Sequence, residues 1–195
     1  MTVAREIWGH LWNQVWSLVW KQIERRDHRL MRRMNRWRAP RWIRIWMIAA
    51  TRLGDGWLWY SLAGILLLYG GPQRFAAVSA AGSAALAGVA VFKILKRLSQ
   101  RKRPCQLEPH CWSKVLPPDK FSFPSGHTMT AFSIALVLSY FYRGVEVPVY
   151  FFACSIAVSR IVLGMHFLSD VLAGAIIGVG LGCCTLTAFA AMGFI

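Results

Sequence analysis

Residues 75–104 read FAAVSAAGSAALAGVAVFKILKRLSQRKRP, and the fold is decided there. Up to Leu95 the stretch is apolar, rich in Ala and Gly, free of Pro, and broken by one charge, Lys93. A hydrocarbon core is crossed by roughly 20 such residues in a helix. From Lys96 the composition changes at once, with Arg97, Arg101, Lys102 and Arg103 following before Pro104. An amphipathic soluble helix would alternate polar and apolar residues around its circumference. Here the change runs lengthwise, as in a helix that leaves the hydrocarbon and places its basic end among anionic headgroups.

Working outward, four more apolar runs fall at about 57–71, 128–142, 147–163 and 168–192. The runs at 75–95 and 168–192 span easily. The other three are short and must borrow flanking residues or thin the bilayer locally. The expected fold is all-α, a polytopic transmembrane bundle of about five spanning helices. Across the 195 residues, apolar types make up 56% although the formal net charge is +15. The two are compatible because the 23 Lys and Arg lie mostly between or before the runs. Anionic lipid headgroups and membrane topology account for that charge better than a nucleic-acid partner does.

Residues 5–24 read REIWGHLWNQVWSLVWKQIE. Trp8, Trp12, Trp16 and Trp20 recur every four residues and share a helical face with Leu11, Val15 and Val19. Trp suits the headgroup level, so this segment is expected to be an amphipathic interfacial helix. The alternative is a helix packing its Trp stripe on the bundle or on another subunit. Residues 25–44 then carry nine Arg, interrupted by Pro40, a stretch attractive to anionic lipids. No cleavable signal peptide is expected, because residues 1–41 lack its continuous apolar core. The chain divides into a basic, Trp-rich segment, 1–41, and a membrane-embedded domain, 42–195. At the start of that domain, 42–53 is too short and charged to span, and Gly54-Asp55-Gly56 reads as a turn.

Twelve Lys and Arg precede position 57 and eight lie in 93–127, whereas 71–74 and 143–147 hold only Arg74 and Arg143. With five spans, the positive-inside rule places the N-terminus, the 96–127 loop and the 163–168 connection in the cytoplasm. Cys154, Cys183 and Cys184 fall inside apolar runs and are expected in the core. Cys105 and Cys111 lie with His110 in the central loop, too few ligands for a convincing zinc site; free thiols or a disulfide remain open.

Three segments hold polar residues that membrane physics otherwise excludes. The first runs from Lys96 to Arg103-Pro104, ending the second span. The second is Pro124-Ser125-Gly126-His127, opening the third. The third is Ser159-Arg160, then His166 and Asp170, bridging the fourth and fifth. Lys96, Arg103 and Arg160 supply fixed positive charge, and Arg grips phosphate oxygens bidentately. Ser125 and Gly126 open a helix whose N-terminal N–H groups favour an anion. His127, beside them, suits proton donation to a departing alkoxide. His166 and Asp170, four apart on a helix, suit an imidazole oriented by a carboxylate for nucleophilic attack.

Lys-x6-Arg-Pro, Pro-Ser-Gly-His and Ser-Arg-x5-His-x3-Asp together resemble the signature of the type 2 phosphatidic acid phosphatase superfamily, over about residues 50–192. The resemblance implies an integral-membrane lipid phosphatase of the bacterial inner membrane, acting on phosphatidic acid, phosphatidylglycerophosphate or polyprenyl mono- or diphosphates. His166 would be the nucleophile, Asp170 its orienter and His127 the general acid. Lys96, Arg103, Ser125, Gly126 and Arg160 would bind the phosphoryl oxygens, with no metal or other cofactor implied. Many members have six spans and an extracytoplasmic site. Here the Trp-rich cationic segment stands where their first span would be, which turns the expected site to the cytoplasmic face. Transfer of the phosphoryl group to another lipid, or a non-catalytic lipid-binding role, are the alternatives. Lys114 and Lys120 are candidates for contacting a second phosphate. Nothing in the sequence signals an oligomeric state.

Overall fold

The computed structural model describes residues 2–37, 39–108 and 119–195, with side chains from Ser17 onward. Eight α-helices follow one another in these residues: α1 (Thr2–Arg36), α2 (Arg41–Arg52), α3 (Leu58–Tyr69), α4 (Arg74–Ser99), α5 (Pro104–Leu107), α6 (Gly126–Phe141), α7 (Glu146–Val162) and α8 (Leu168–Ala191). Helix α1 is longer than the Trp periodicity marks, because no Pro interrupts the Arg-rich stretch before Pro40. The turn expected at Gly54–Gly56 is a kink in a π-helical segment, Leu53–Trp57, that joins α2 to α3. Gly56 sits there at φ 120°, a conformation open to glycine and strained for other residues.

Two helices, α4 and α8, are long and apolar enough to cross a membrane. The 26 residues of α4 rise about 39 Å at 1.5 Å each. Helices α6 and α7 are 16 and 17 residues long, and α3 is 12. The outer surface is apolar: Ile65, Leu68, Leu86, Phe151 and Ile176 all expose more than half of their area. Apolar surface on so many helices suits hydrocarbon better than water. Cys154, Cys183 and Cys184 belong to that outer surface, contrary to the expected core placement. Hydropathy tells which segments are apolar, but in a membrane bundle the lipid-facing side is as apolar as the interior.

Helix α6 is central, packed on α4, α7 and α8. It meets α8 over a ladder of Gly174, Gly178 and Gly182, spaced one turn apart. A methyl group on Gly174 would come within 2.6 Å of the Ser125 carbonyl oxygen, and one on Gly178 would overlap that of Met129. Small residues at i, i+4 and i+8 let the two backbones touch, which is how helices associate where water supplies no driving force. On the α4 side, Ala77, Ala80, Ala81 and Ala84 are buried against the bundle. These tight contacts hold the N-terminus of α6 against that of α8, and they fix the floor of the site.

Candidate active site

The three polar segments meet at one end of the bundle and are stitched by their backbones. The Ser125 N–H donates to the Asp170 carbonyl at 3.0 Å, that of Ser122 to Arg101 at 2.8 Å and that of Cys105 to Gly164 at 3.1 Å. The Ser122 hydroxyl adds a bond to the Lys102 carbonyl, and Ser99 binds that of Phe123. The polar stretches thus satisfy one another where no regular helix does so.

His166 lies at the centre, 2% exposed. It precedes α8 rather than lying within it, which corrects the expected helical i, i+4 pairing with Asp170. Instead Asp170, in the first turn, accepts the Phe167 N–H at 2.8 Å and faces His166 Nδ1 from 3.6 Å. That separation is beyond a hydrogen bond, and Nδ1 has no other partner among the described residues. His166 Nε2 is 3.1 Å from Arg103 Nη1. Burial, and after it the charges of Arg103, Arg160 and Lys96, hold His166 well below the ordinary imidazole range. The ring is therefore neutral near pH 7. A proton on Nδ1, toward the carboxylate, leaves the Nε2 lone pair facing the cations.

Those cations are arranged unequally. Arg103, fully buried, donates from Nε and Nη2 to the backbone and carboxylate of Asp119, and from Nη1 to the Met165 carbonyl. Lys96 donates to the other Asp119 oxygen at 2.6 Å. Burial alone would raise Asp119, but these hydrogen bonds outweigh it and hold the carboxyl below its usual range. Arg160 is different. It is 2% exposed, its Nη1 donates to Thr51, and its Nε and Nη2 have no partner among the described residues. Orphan donors on a buried guanidinium are costly, and an anion would satisfy them.

Ser125 is the N-cap of α6 and shares a hydrogen bond with Thr128 at 2.9 Å. Gly126 packs closely on Phe92, whose ring would lie 3.0 Å from an added methyl. His127 Nε2 meets Asp55 Oδ1 at 2.8 Å, and that bond is the main reason the Asp55 carboxyl sits below its usual range. Gly54 gives the ring room, since a methyl there would approach it to 3.3 Å.

Lys96, Asp119, Gly126, His127 and Asp55 line the polar end of a cavity of about 990 Å³. Its other end is walled by Leu62, Leu66, Ala81, Ala85 and Leu86, between α3 and α4. Sequence reasoning missed Asp55, Asp119 and Thr51, each a single polar residue outside any recognisable pattern. Lys120 lines this cavity, while His110, Cys111 and Lys114 lie outside the described residues.

Residues 76–193 match the PAP2 superfamily, and the chain belongs to that superfamily. Its relatives include decaprenylphosphoryl-5-phosphoribose phosphatase of Mycobacterium tuberculosis, 35% identical over 127 residues, 65% of this chain and 68% of that protein. Among solved structures, LpxE of Aquifex aeolicus is 30% identical, with a TM-score of 0.70 over 82% of this chain and 93% of the other. A transmembrane PAP2-type phosphatidylglycerolphosphate phosphatase from Bacillus subtilis shares the fold at 22% identity, with a TM-score of 0.66 over 87% of each chain.

Proposed function

We propose that the chain is a membrane lipid phosphatase that cleaves a phosphate monoester or diphosphate through a phosphohistidine on His166. One observation carries this reading: the buried His166 ring contacts Arg103, which shares Asp119 with Lys96, and Lys96, Asp119 and His127 line the polar end of a cavity whose other end is apolar. A phosphorylated lipid has that same division. Its phosphoryl group would satisfy Arg160, and its chain would lie between α3 and α4.

In the first step His166 Nε2 bonds to phosphorus as the bond from phosphorus to the lipid oxygen breaks. His127, held by Asp55, protonates that oxygen. Asp170 stabilises the charge that develops on the His166 ring. In the second step water attacks phosphorus, His127 takes its proton, and the P–N bond breaks to release phosphate and restore His166. Arg103, Lys96, Arg160 and the N–H groups at the start of α6 stabilise the equatorial oxygens. Arg103 Nη1 gives up its contact with Nε2 when phosphorus arrives. The site's own charge serves the purpose a metal has elsewhere.

Lys93, Arg97 and Lys120 also line the cavity, and no bonded carboxylate accompanies any of them among the described residues. They favour a substrate with a second anionic group between chain and terminal phosphate. The mycobacterial relative is named for a substrate with two phosphoryl groups. Phosphate release from a panel of pure lipids tests this: phosphatidylglycerophosphate and polyprenyl diphosphate are expected to exceed phosphatidic acid. Release from none of them would overturn the reading.

We place the bundle with five spans and the site on the cytoplasmic face, with the basic N-terminal segment against anionic headgroups. The support is the charge asymmetry together with the position of α1 on the site side. Cys105, half-buried beside the site, is expected to resist an impermeant maleimide in intact cells and to react after permeabilisation. Equal labelling before permeabilisation would contradict this placement.

A further inference from the structure

We propose that Asp27, on α1, is a positioning residue for the phosphatase reaction: through Arg101 it holds Asp170, and so His166, in the reactive geometry. The proposal rests on the reading of His166 and Asp170 given above. Asp27 lies in the cationic stretch of a helix expected to rest on headgroups, yet it is 4% exposed. A carboxylate is buried only when it is paired, and its partners show what it does.

Arg101 is a fork between two acids. Its Nη2 donates to Asp27 at 2.7 Å, and its Nη1 donates to Asp170 at 2.6 Å and to the Ser169 hydroxyl at 2.7 Å. The guanidinium lies over the Phe167 ring, 4.3 Å from its centroid, and His28 of α1 packs on the same ring. Asp27 also accepts the Ser169 N–H at 3.1 Å and the Ser169 hydroxyl. Two carboxylates therefore serve the first turn of α8. Asp170 caps from within, and Asp27 reaches in from α1.

This geometry leaves Asp170 little freedom. One of its oxygens is held by Arg101, and the other is held by the Phe167 N–H and faces His166. The aim of Arg101 is in turn set by Asp27. Without Asp27, the guanidinium loses an acid that shares its charge. It is then free to draw Asp170 onto itself and away from the His166 ring.

The test uses the full-length purified protein in lipid vesicles with a phosphorylated lipid substrate. Asp27→Asn is expected to lower kcat about 10- to 100-fold, the scale on which outer partners of a reactive ligand act, with KM within twofold. In an Arg101→Gln background the same change is expected to cost less than a further twofold, because both act through one link. Arg32→Gln, which breaks the exposed α1 contact with Glu108, is the control and is expected to keep its activity. Wild-type kcat in Asp27→Asn, or losses that multiply in the double variant, would overturn the proposal. Should Asp27→Asn not fold, Ser169→Ala carries the comparison: a loss of about fivefold, one hydrogen bond's worth, supports the link and a wild-type kcat sinks it. His166→Ala in the same preparation separates the two ideas. If it stays active, the reading of the site fails; if it is inactive while Asp27→Asn is normal, only the role of Asp27 fails.

Discussion

His166→Ala is expected to lower kcat for lipid phosphate release by about 10⁴-fold or more, the scale seen when a nucleophile is removed from an otherwise intact site. The folded protein should survive the change. The His166 ring makes one hydrogen-bond contact among the described residues, with Arg103, and Arg103 keeps its bonds to Asp119 and to the Met165 carbonyl. Truncation therefore leaves no new buried charge without a partner. The cage also remains, so inorganic phosphate should still bind and raise the thermal midpoint. Retained turnover, or loss of phosphate binding together with turnover, would argue that His166 does something other than attack phosphorus.

The second large effect concerns Arg160. Its unsatisfied Nε and Nη2 make it the residue with most to gain when a phosphoryl group enters. Arg160→Gln is expected to lower kcat/KM by about 10²- to 10³-fold, as removal of one transition-state donor does elsewhere. Stability should move the other way. In the phosphate-free protein a buried guanidinium with two orphan donors is a cost, so its removal should leave the thermal midpoint unchanged or higher. Protection by phosphate should disappear. Calorimetry with and without phosphate reads both effects; a lower midpoint with protection intact would show that Arg160 is structural.

The site residues were legible in the sequence because a bilayer excludes charge unless charge has a purpose. His127, Arg160, His166 and Asp170 stood out against apolar surroundings, and Lys96 and Arg103 as the ends of a Lys-x6-Arg-Pro pattern, at spacings that returned them to one end of the bundle. Their partners did not stand out. Asp119 is one acid in a Pro-rich loop, and Asp55 sits between two glycines that read as a turn. Asp27 is hidden among arginines, in a stretch expected to meet anionic headgroups. What identifies each is a contact across 16 to 142 residues of chain, and no periodicity encodes that. The end of α1 did not follow from the Trp spacing, which marks an amphipathic face, whereas a helix stops where its backbone is interrupted, near Pro40.

The expected fold class, all-helical and membrane-type, came from run lengths, and α4 and α8 are long and apolar enough to cross a membrane. The shorter α3, α6 and α7 are harder to judge by length. Their exposed apolar faces and the glycine ladder of α8 on α6 say more than hydropathy does.

The central claim, a phosphoryl group carried on His166 between lipid and water, is tested most directly by the stereochemical course at phosphorus. A lipid phosphate made chiral with oxygen isotopes and sulfur would be hydrolysed, and the configuration of the released thiophosphate determined. Each in-line displacement inverts phosphorus, so two in succession, first by His166 Nε2 and then by water, predict net retention. Net inversion would mean that water attacks the lipid phosphate directly, and would contradict the account.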